Sequence, residues 1–268
     1  MRNETMKISV ITVNYNHGNL LEATIKSVVE QSYSDIEFIV IDGGSTDESV
    51  SIIKRYSENI AYWVSEPDKG IYHAMNKGIG KATGDYCIFL NSGDSFYEDN
   101  MVANAIPYLN TDIICGNVML AFSSSLELRK APLKLDTLFF MQRRSICHQA
   151  LFIKTELLKQ RPYDETLKIV GDWEQLLYEI IVNHKTYKTI DVIICRYSMD
   201  GVSSNAAKSD AEKRMVLEKY RSSGALPPNQ LQELVNQLKI GTRKYRFALA
   251  AVNLIVNSSG LFRKLFKR

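Results

Sequence analysis

Two polar segments that carry carboxylates follow directly on apolar runs of this chain. The run 38–41 continues into Asp42–Asp47, and the run 87–90 continues into Asn91–Asp94. If these runs are strands of an open α/β sheet, their carboxyl ends form the edge at which ligands bind in such sheets. Acids at that edge have no packing use and can hold a cation or a polar ligand. We therefore expect function at this edge.

Each segment also has a plainer interpretation. Asp94 with Asn91 can give Mg²⁺ or Mn²⁺ one or two oxygens while phosphates and water supply the others, but the same residue types are common in β-turns. In the first segment, glycines admit a ligand close to the backbone, and Asp42 can accept hydrogen bonds from a base or ribose. The alternative there is a strand–helix connection with Thr46 or Asp47 as the N-cap.

Asp172 and His148 are the other candidates for chemistry. Asp172 begins an amphipathic segment and is suited to act as a general base that removes a proton from a hydroxyl. With Gln175 three residues on, it also fits a capping box, which is purely structural. His148 and Gln149 precede an apolar run, and a single histidine in that setting is more often structural than a ligand.

The elements that position these residues follow from hydropathy patterns. Strands are predicted at 8–13, 36–41, 61–64, 86–90, 113–118, 150–153 and 192–197. Helices are predicted at 19–31, 46–56, 71–78, 102–109, 173–181, 207–221, 229–239 and 245–256. The alternation in the first part predicts an α/β fold with a mostly parallel sheet. We predict one domain over 1–205 and a helical extension over 206–268.

Composition narrows the class of protein. The 268 residues are long enough for a sizeable core, and no apolar run reaches the roughly 20 residues that span a bilayer. The four cysteines are widely spaced, which favours buried thiols in a reducing compartment over a zinc site or disulfides. With no secretion signal evident in the polar start, we predict a cytoplasmic protein.

Taken together, the ordered segments resemble family 2 glycosyltransferases, the inverting enzymes with a GT-A fold. The match runs from Ile8 to about Ser204. It includes the first strand with Asn14 to Asn16, the turn Asp42–Asp47, the block from Asp68 to Tyr86, and Asn91–Asp94 at the place of the family's DxD-type metal motif. The implied fold is a Rossmann-like GT-A sheet flanked by helices, followed by the helical extension.

The resemblance also implies roles for individual residues. The nucleotide-sugar side comprises Thr12, Asn14 and Tyr15 at the uridine pocket, Asp42 at the base, Ser45 and Asp47 supporting that loop, and Asp68 and Asn76 at the ribose and sugar. Asp94, with Asn91 beside it, would bind Mg²⁺ or Mn²⁺ on the diphosphate, and Asp172 would be the catalytic base. His148 and Gln149 resemble an acceptor-side pair, and Ser203 belongs to a late loop near the phosphates.

The resulting hypothesis is a metal-dependent, inverting hexosyl- or N-acetylhexosaminyltransferase that uses a nucleotide sugar, favoured as UDP-linked, in cell-surface polysaccharide synthesis. This chain has Asn91 where the family often has Asp, and Gly171 where it often has Glu before the base. The competing hypotheses are a nucleotidyltransferase and a non-catalytic nucleotide- or saccharide-binding protein. The segment after the first strand lacks the Gly-rich basic loop of nucleotidyltransferases, which argues against that class.

The charge of the C-terminal tail indicates what kind of partner this protein could bind. Eight Lys and Arg residues and no acid follow Glu233, although the whole chain carries only +3. Interspersed apolar residues over 241–268 fit a helix lying on an anionic membrane surface, with peripheral attachment at its inner face and a saccharide or lipid-linked acceptor. A packing helix or a homodimer contact fits equally well. Nucleic acid is not expected, because no recognised binding motif accompanies the charge.

Overall fold

The computed structural model describes residues 5–122, 125–198 and 206–226. Nine strands there form a single sheet. The strands are β1 (Ile8–Asn14), β2 (Ile36–Asp42), β3 (Tyr62–Ser65), β4 (Tyr86–Phe89), β5 (Ser95–Phe96), β6 (Ile113–Ala121), β7 (Leu126–Arg129), β8 (Leu151–Lys154) and β9 (Tyr187–Ser198). The α-helices are α1 (Gly18–Val29), α2 (Ser49–Arg55), α3 (Ile71–Lys81), α4 (Met101–Ala105), α5 (Thr137–Met141), α6 (Thr155–Gln160), α7 (Gly171–Leu177) and α8 (Ala206–Ser222).

The sheet has two halves with different strand directions. Its order is β3-β2-β1-β4-β8-β6-β9-β5, and β7 pairs with β6. The first four strands are mutually parallel, as the alternating pattern predicted. Strand β8 then runs antiparallel to both β4 and β6, while β9 is parallel to β6. The expected α/β fold is confirmed, with a mixed second half joined to the parallel one.

The core explains why the early strands were easy to recognise. Every residue of β1 is buried, and β2 is buried from Glu37 to Asp42. Strands covered on both faces become nearly continuous apolar runs instead of alternating ones. Two polar residues at their amino ends, Ser9 and Glu37, are paired by a 2.6 Å hydrogen bond from the hydroxyl to the carboxylate.

Several predicted elements differ from the structure. Helix α3 extends to Lys81, three residues beyond its predicted end, and its second residue, Tyr72, is buried. The segment 173–181 divides into α7 and a π-helical turn over Tyr178–Val182. Strand β7 was not predicted because all four of its residues are exposed and give no burial pattern.

The extension and the tail are described only in part. Helix α8 lies at the predicted place, whereas Ser203, the helices predicted at 229–239 and 245–256, and the basic tail lie outside the described residues. Among the residues that the structure describes, no helix combines the length and apolar character needed to cross a membrane.

Candidate functional site

Three polar side chains lie in register at the carboxyl ends of neighbouring parallel strands. Asn14 ends β1 and pairs with Asp42 at the end of β2, which pairs in turn with Ser65 of β3. Because the strands are parallel and in step, their last residues meet at one edge of the sheet. This is the edge at which the sequence placed the candidate residues.

Asp42 is the centre of a saturated hydrogen-bond network. Its Oδ1 accepts from Asn14 Nδ2 at 2.7 Å and Ser45 Oγ at 2.6 Å. Its Oδ2 accepts from Ser45 N at 2.9 Å and Ser65 Oγ at 2.6 Å. Burial raises the pKa of Asp42, but the hydrogen bonds from Ser45, Ser65 and Asn14 outweigh it and hold the pKa below its usual value. The carboxylate is therefore ionised and fully occupied.

This geometry bears on two of the predicted roles. Asp42 is 0 % exposed and accepts four hydrogen bonds from protein donors, so its carboxylate holds the loop in this structure. Its contact with the base stays a prediction. Thr12 is also 0 % exposed, inside β1, and does not line an open pocket. Its hydroxyl has no hydrogen-bond partner among the described residues.

Ser45 and Asp47 support the loop, as the sequence suggested. The Ser45 hydroxyl accepts from Asn16 N at 2.8 Å, which joins the loop after β2 to the loop after β1. Asp47 accepts from Gly18 N at 2.9 Å and from Ser49 N at 3.0 Å. These two amides open α1 and α2, so a single carboxylate satisfies donors at both helix starts.

Tyr15, Gly43 and Asp68 lie close together beside this loop and are candidates to line a nucleotide pocket. Tyr15 is 62 % exposed, so its ring is free to stack on a planar ligand. A Cβ on Gly43 would lie 3.2 Å from both Asp68 Oδ2 and Tyr15 Cδ2, so glycine there lets these two side chains approach each other closely. Asp68 thus presents Oδ2 beside Tyr15, where it could take the base-contacting role that the sequence predicted for Asp42.

The other oxygen of Asp68 is anchored from α3. Lys77 Nζ lies 2.6 Å and His73 Nδ1 lies 3.0 Å from Asp68 Oδ1. Asn76, on the same helix, holds a different segment: its amide donates to Tyr163 O and accepts from Tyr163 N, each at 2.9 Å. Helix α3 therefore ties the pocket to the chain segment that leads towards Asp172.

The second acid-tipped strand places Asn91 and Asp94 next to the first network. Ser92 Oγ donates to Asn14 Oδ1 at 2.7 Å, which connects the loop after β4 to the end of β1. Asp94 is 6 % exposed, and its Oδ2 accepts from Gln149 Nε2 at 3.0 Å. The Asn91 amide nitrogen lies 3.2 Å from His148 Nε2, and its Oδ1 is buried without a hydrogen-bond partner in the part of the chain that the structure describes.

These donors fit a divalent cation bound together with a diphosphate. One buried carboxylate and one unpaired amide oxygen are hard ligands, and Mg²⁺ commonly takes one or two carboxylates and completes its shell with phosphates and water. No group of three or more His, Cys, Asp or Glu side chains placed to hold a metal occurs in the described residues. Asp94 and Asn91 are the residues that could hold such a cation together with its phosphate ligand.

Asp172 is held from two sides at the same edge. His148 Nδ1 lies 3.0 Å from Asp172 Oδ2, and Tyr72 OH donates to Asp172 Oδ1 at 3.0 Å. The side chains of His148 and Asp172 are only 18 % and 15 % exposed, so the pair is shielded but reachable. When the imidazole is neutral, Asn91 Nδ2 can donate to Nε2 at 3.2 Å, and the ring proton then lies on Nδ1, facing the carboxylate.

The pair shifts the pKa values of both members. Burial raises the pKa of Asp172, but the hydrogen bonds from His148 and Tyr72 and the charge of His148 lower it below its usual value. Burial lowers the pKa of His148, but the hydrogen bond and charge of Asp172 raise it above its usual value. Asp172 is consequently ionised at neutral pH, and the proton bound by the pair resides on His148.

Asp172 is not the N-cap residue of the capping-box alternative. Val170 occupies that position, and Asp172 is the second residue of α7. Its carboxylate instead reaches Tyr72, a hundred positions earlier in the chain. Tyr72 was not among the candidate residues predicted from the sequence. A signal was available in Gly171, where a Cβ would lie 2.9 Å from Tyr72 Cζ, because a glycine beside a candidate base indicates that another group fills the space.

Comparison with known proteins gives an independent line of inference. Residues 9–155 match the profile described as Glycosyl transferase family 2. A glycosyltransferase of Mycobacterium tuberculosis, described as uncharacterised, is 35 % identical over 216 residues, which cover 75 % of this chain and 79 % of the relative. A PGL/p-HBAD biosynthesis glycosyltransferase of Mycobacterium bovis is 32 % identical over 174 residues, covering 62 % of this chain and 66 % of that protein.

Solved structures agree on the fold. S. aureus TarS in complex with UDP-GlcNAc matches with a TM-score of 0.62 at 18 % identity, covering 75 % of this chain and 61 % of that one. The Pyrobaculum calidifontis mannosyltransferase PcManGT, in complex with GDP-Man and Mn²⁺, matches with a TM-score of 0.57 at 17 % identity, covering 99 % of this chain and 89 % of that one. At these identities the likeness concerns the fold, which is GT-A. By its sequence profile and its relatives, this chain belongs to glycosyltransferase family 2.

Proposed function

We propose that this glycosyltransferase transfers a sugar from a nucleotide diphosphate, favoured as UDP, to an acceptor hydroxyl with inversion, and that Asp172 is the base. The observation that carries the proposal is the Tyr72–Asp172–His148 arrangement. It holds an ionised carboxylate at the edge of the sheet where Tyr15 and Asp68 also lie.

The pocket accounts for donor binding. The exposed Tyr15 ring offers a face to a base, and Asp68 Oδ2 can accept from an N–H or O–H of the nucleoside. A carboxylate favours ligands that present donors, such as the uracil or guanine N–H groups. Because Lys77 pairs with Asp68 Oδ1 at 2.6 Å, a hydrogen bond from the ligand to this carboxylate is charge-assisted.

The reaction follows from the position of Asp172. Its carboxylate takes the proton of the acceptor hydroxyl as that oxygen attacks the anomeric carbon. The bond from this carbon to the leaving phosphate oxygen breaks, and the nucleoside diphosphate departs with the electron pair. In-line displacement inverts the anomeric centre. Asp94 and Asn91 would hold a divalent cation, which neutralises charge on the leaving diphosphate.

We propose the acceptor only as a chemical class, which is a saccharide or lipid-linked acceptor of cell-surface polysaccharide synthesis. The proposal also includes two predictions from the sequence. These are a cytoplasmic location and attachment of the basic tail to an anionic membrane surface. Cosedimentation with anionic vesicles tests the attachment, using the full chain against a chain that ends at Lys239. Equal binding of the two proteins would contradict it.

The test of function is release of nucleoside diphosphate from UDP-GlcNAc, UDP-Glc and GDP-Man, with and without Mn²⁺. The variants are Asp172→Asn and, as a matched control, Asp191→Asn, whose side chain is 82 % exposed. We expect the first to reduce the rate at least 100-fold, in the range typical of general-base loss, and the second to leave it unchanged. Wild-type rates in Asp172→Asn would refute the assigned base. Absence of release from all three donors would refute the assigned activity.

A further inference from the structure

Helix α8 packs directly on the body of the protein although the sequence placed it at the start of a separate extension. Val216 and Leu217 are 2 % and 1 % exposed, and Tyr220 is 7 % exposed. The Tyr220 hydroxyl bonds to Glu174 of α7. These contacts attach α8 to the catalytic unit along one face and bring its polar residues onto neighbouring loops.

Glu212 of α8 binds three consecutive backbone amides just before α7. Its Oε1 accepts from Lys168 N at 2.9 Å, and its Oε2 accepts from Ile169 N at 2.8 Å and Val170 N at 3.2 Å. Val170 is the N-cap of α7, and Asp172 follows two residues later. Because the segment 161–170 contains neither strand nor helix, this carboxylate supplies partners that a sheet or helix would otherwise provide.

The next residue of α8 holds the segment that leads to His148. Lys213 is 4 % exposed, and its Nζ donates to Arg143 O at 3.2 Å and Ser145 Oγ at 2.7 Å. Trp173, the neighbour of Asp172, donates from Nε1 to Arg144 O at 2.8 Å. Consecutive residues of one helix thus hold the two chain segments that carry the two members of the pair.

We propose that Glu212 is a positioning residue for the Asp172 carboxylate, which it places by holding the backbone over Lys168–Val170. The proposal rests on the proposed role of Asp172 as base. Val216, Leu217 and Tyr220 keep α8 attached without Glu212. Loss of its charge therefore frees the segment before α7 while the helix stays in place. A displacement of about 1 Å at the reacting groups can reduce a rate about 100-fold.

The experiment is a double-mutant cycle on the full-length protein with Glu212→Gln and Asp172→Asn. The control is Glu218→Gln, a residue of α8 that is 61 % exposed and pairs only loosely with Arg221, at 3.7 Å. The assay measures kcat and KM for whichever of UDP-GlcNAc, UDP-Glc and GDP-Man the wild type cleaves fastest with Mn²⁺. A Gln at position 212 keeps the shape but presents an NH₂ group to backbone N–H donors.

We expect Glu212→Gln to lower kcat about 10- to 100-fold while KM for the donor changes less than threefold, and Glu218→Gln to match the wild type. In the Asp172→Asn background, Glu212→Gln should have no further effect, because its action passes through the missing carboxylate. An unchanged kcat, or an equal fold-loss in both backgrounds, would overturn the proposal. Wild-type activity in Asp172→Asn is a different result and would instead overturn the base assignment.

Folding is checked separately by thermal unfolding. If Glu212→Gln has no cooperative transition, Glu212→Asp replaces it in the cycle, because Asp keeps the charge with a chain one methylene shorter. The expectation for Glu212→Asp is a loss of kcat smaller than 10-fold that likewise disappears in the Asp172→Asn background. A loss that persists there at the same size would overturn the proposal.

Discussion

The absence of a side chain at Gly171 leads to a sharp prediction for Gly171→Ala. The added Cβ would lie 2.9 Å from both Cε2 and Cζ of Tyr72 and 3.0 Å from Cδ2. Carbon atoms in contact prefer separations of about 3.5–4.0 Å, so either the ring or the start of α7 must move. Tyr72 is 4 % exposed, and its ring lies 5.5 Å from that of Tyr163, which leaves it little freedom to shift.

Two magnitudes follow from this overlap. Overpacking of this kind costs about 1–3 kcal/mol, which lowers Tm by about 2–4 °C per kcal/mol in a chain of this size. Displacing the ring also removes the hydrogen bond from Tyr72 to Asp172, and a bond to a charged group contributes about 1.5–3 kcal/mol. If that bond supports the base in the transition state, kcat falls about 10- to 100-fold.

The assay pairs thermal unfolding with nucleoside diphosphate release. Gly80→Ala is the matched control, because it adds the same methyl group on α3 where no atom lies within 4 Å. The control should be unchanged or slightly more stable, since Ala is favoured over Gly in helices. Tyr72→Phe keeps the ring but not the hydroxyl, so we expect it to lower kcat with the ring still in place. A Gly171→Ala protein as stable and as active as Gly80→Ala would refute the packing argument.

Three further predictions concern binding, pH and stability. Asp68→Asn should weaken UDP binding, measured by calorimetry with Mn²⁺, by about tenfold or more, because the ligand loses a charge-assisted acceptor; an unchanged Kd would remove Asp68 from the pocket. The raised pKa of His148 predicts that kcat increases with pH through a pKa above 6.5, as the imidazolium that holds the charge of Asp172 loses its proton. His148→Gln should abolish that limb of the profile, and a limb that persists belongs to another group. Burial raises the pKa of Glu37, but hydrogen bonds from Ser9, Thr83 and Lys7 outweigh it and lower the pKa from 4.5 to about 2. The ionised Glu37 therefore stabilises the folded protein fully above pH 4.5, and this contribution is lost as the pH falls towards 2. Glu37→Gln should therefore cost about 3 kcal/mol at pH 7 and converge with the wild type in acid denaturation; a cost independent of pH would contradict this.

Local pattern determined much of the architecture. Strands β1, β2 and β4 were predicted from short apolar runs because both faces are buried, and the helices between them from their apolar stripes. The ordered series of acidic and glycine-rich turns was enough to indicate the family and the GT-A fold. The proposal that Asp172 is the base also began from the sequence, where it is an acid at the start of an amphipathic segment. The exposed β7 and the antiparallel partners of β8 were not predicted, since strand pairing is a relation between distant segments.

Burial and hydrogen-bond saturation were decided only by the tertiary structure. Asp42 and Asp68 are both acids after strands. No local property shows that Asn14, Ser45 and Ser65 saturate the first, whereas Lys77 and His73 contact only Oδ1 of the second.

The same holds for the surroundings of Asp172. Gly171 departs from the family pattern in sequence. The structure explains this glycine, because the Tyr72 ring occupies the space that a side chain at position 171 would need. Glu212 meets the backbone before α7 from more than forty residues away. The chain by itself determined which groups are available for chemistry. Folding decided which of them face a ligand, because contacts between remote segments set the solvent exposure and the remaining hydrogen-bond capacity of each group.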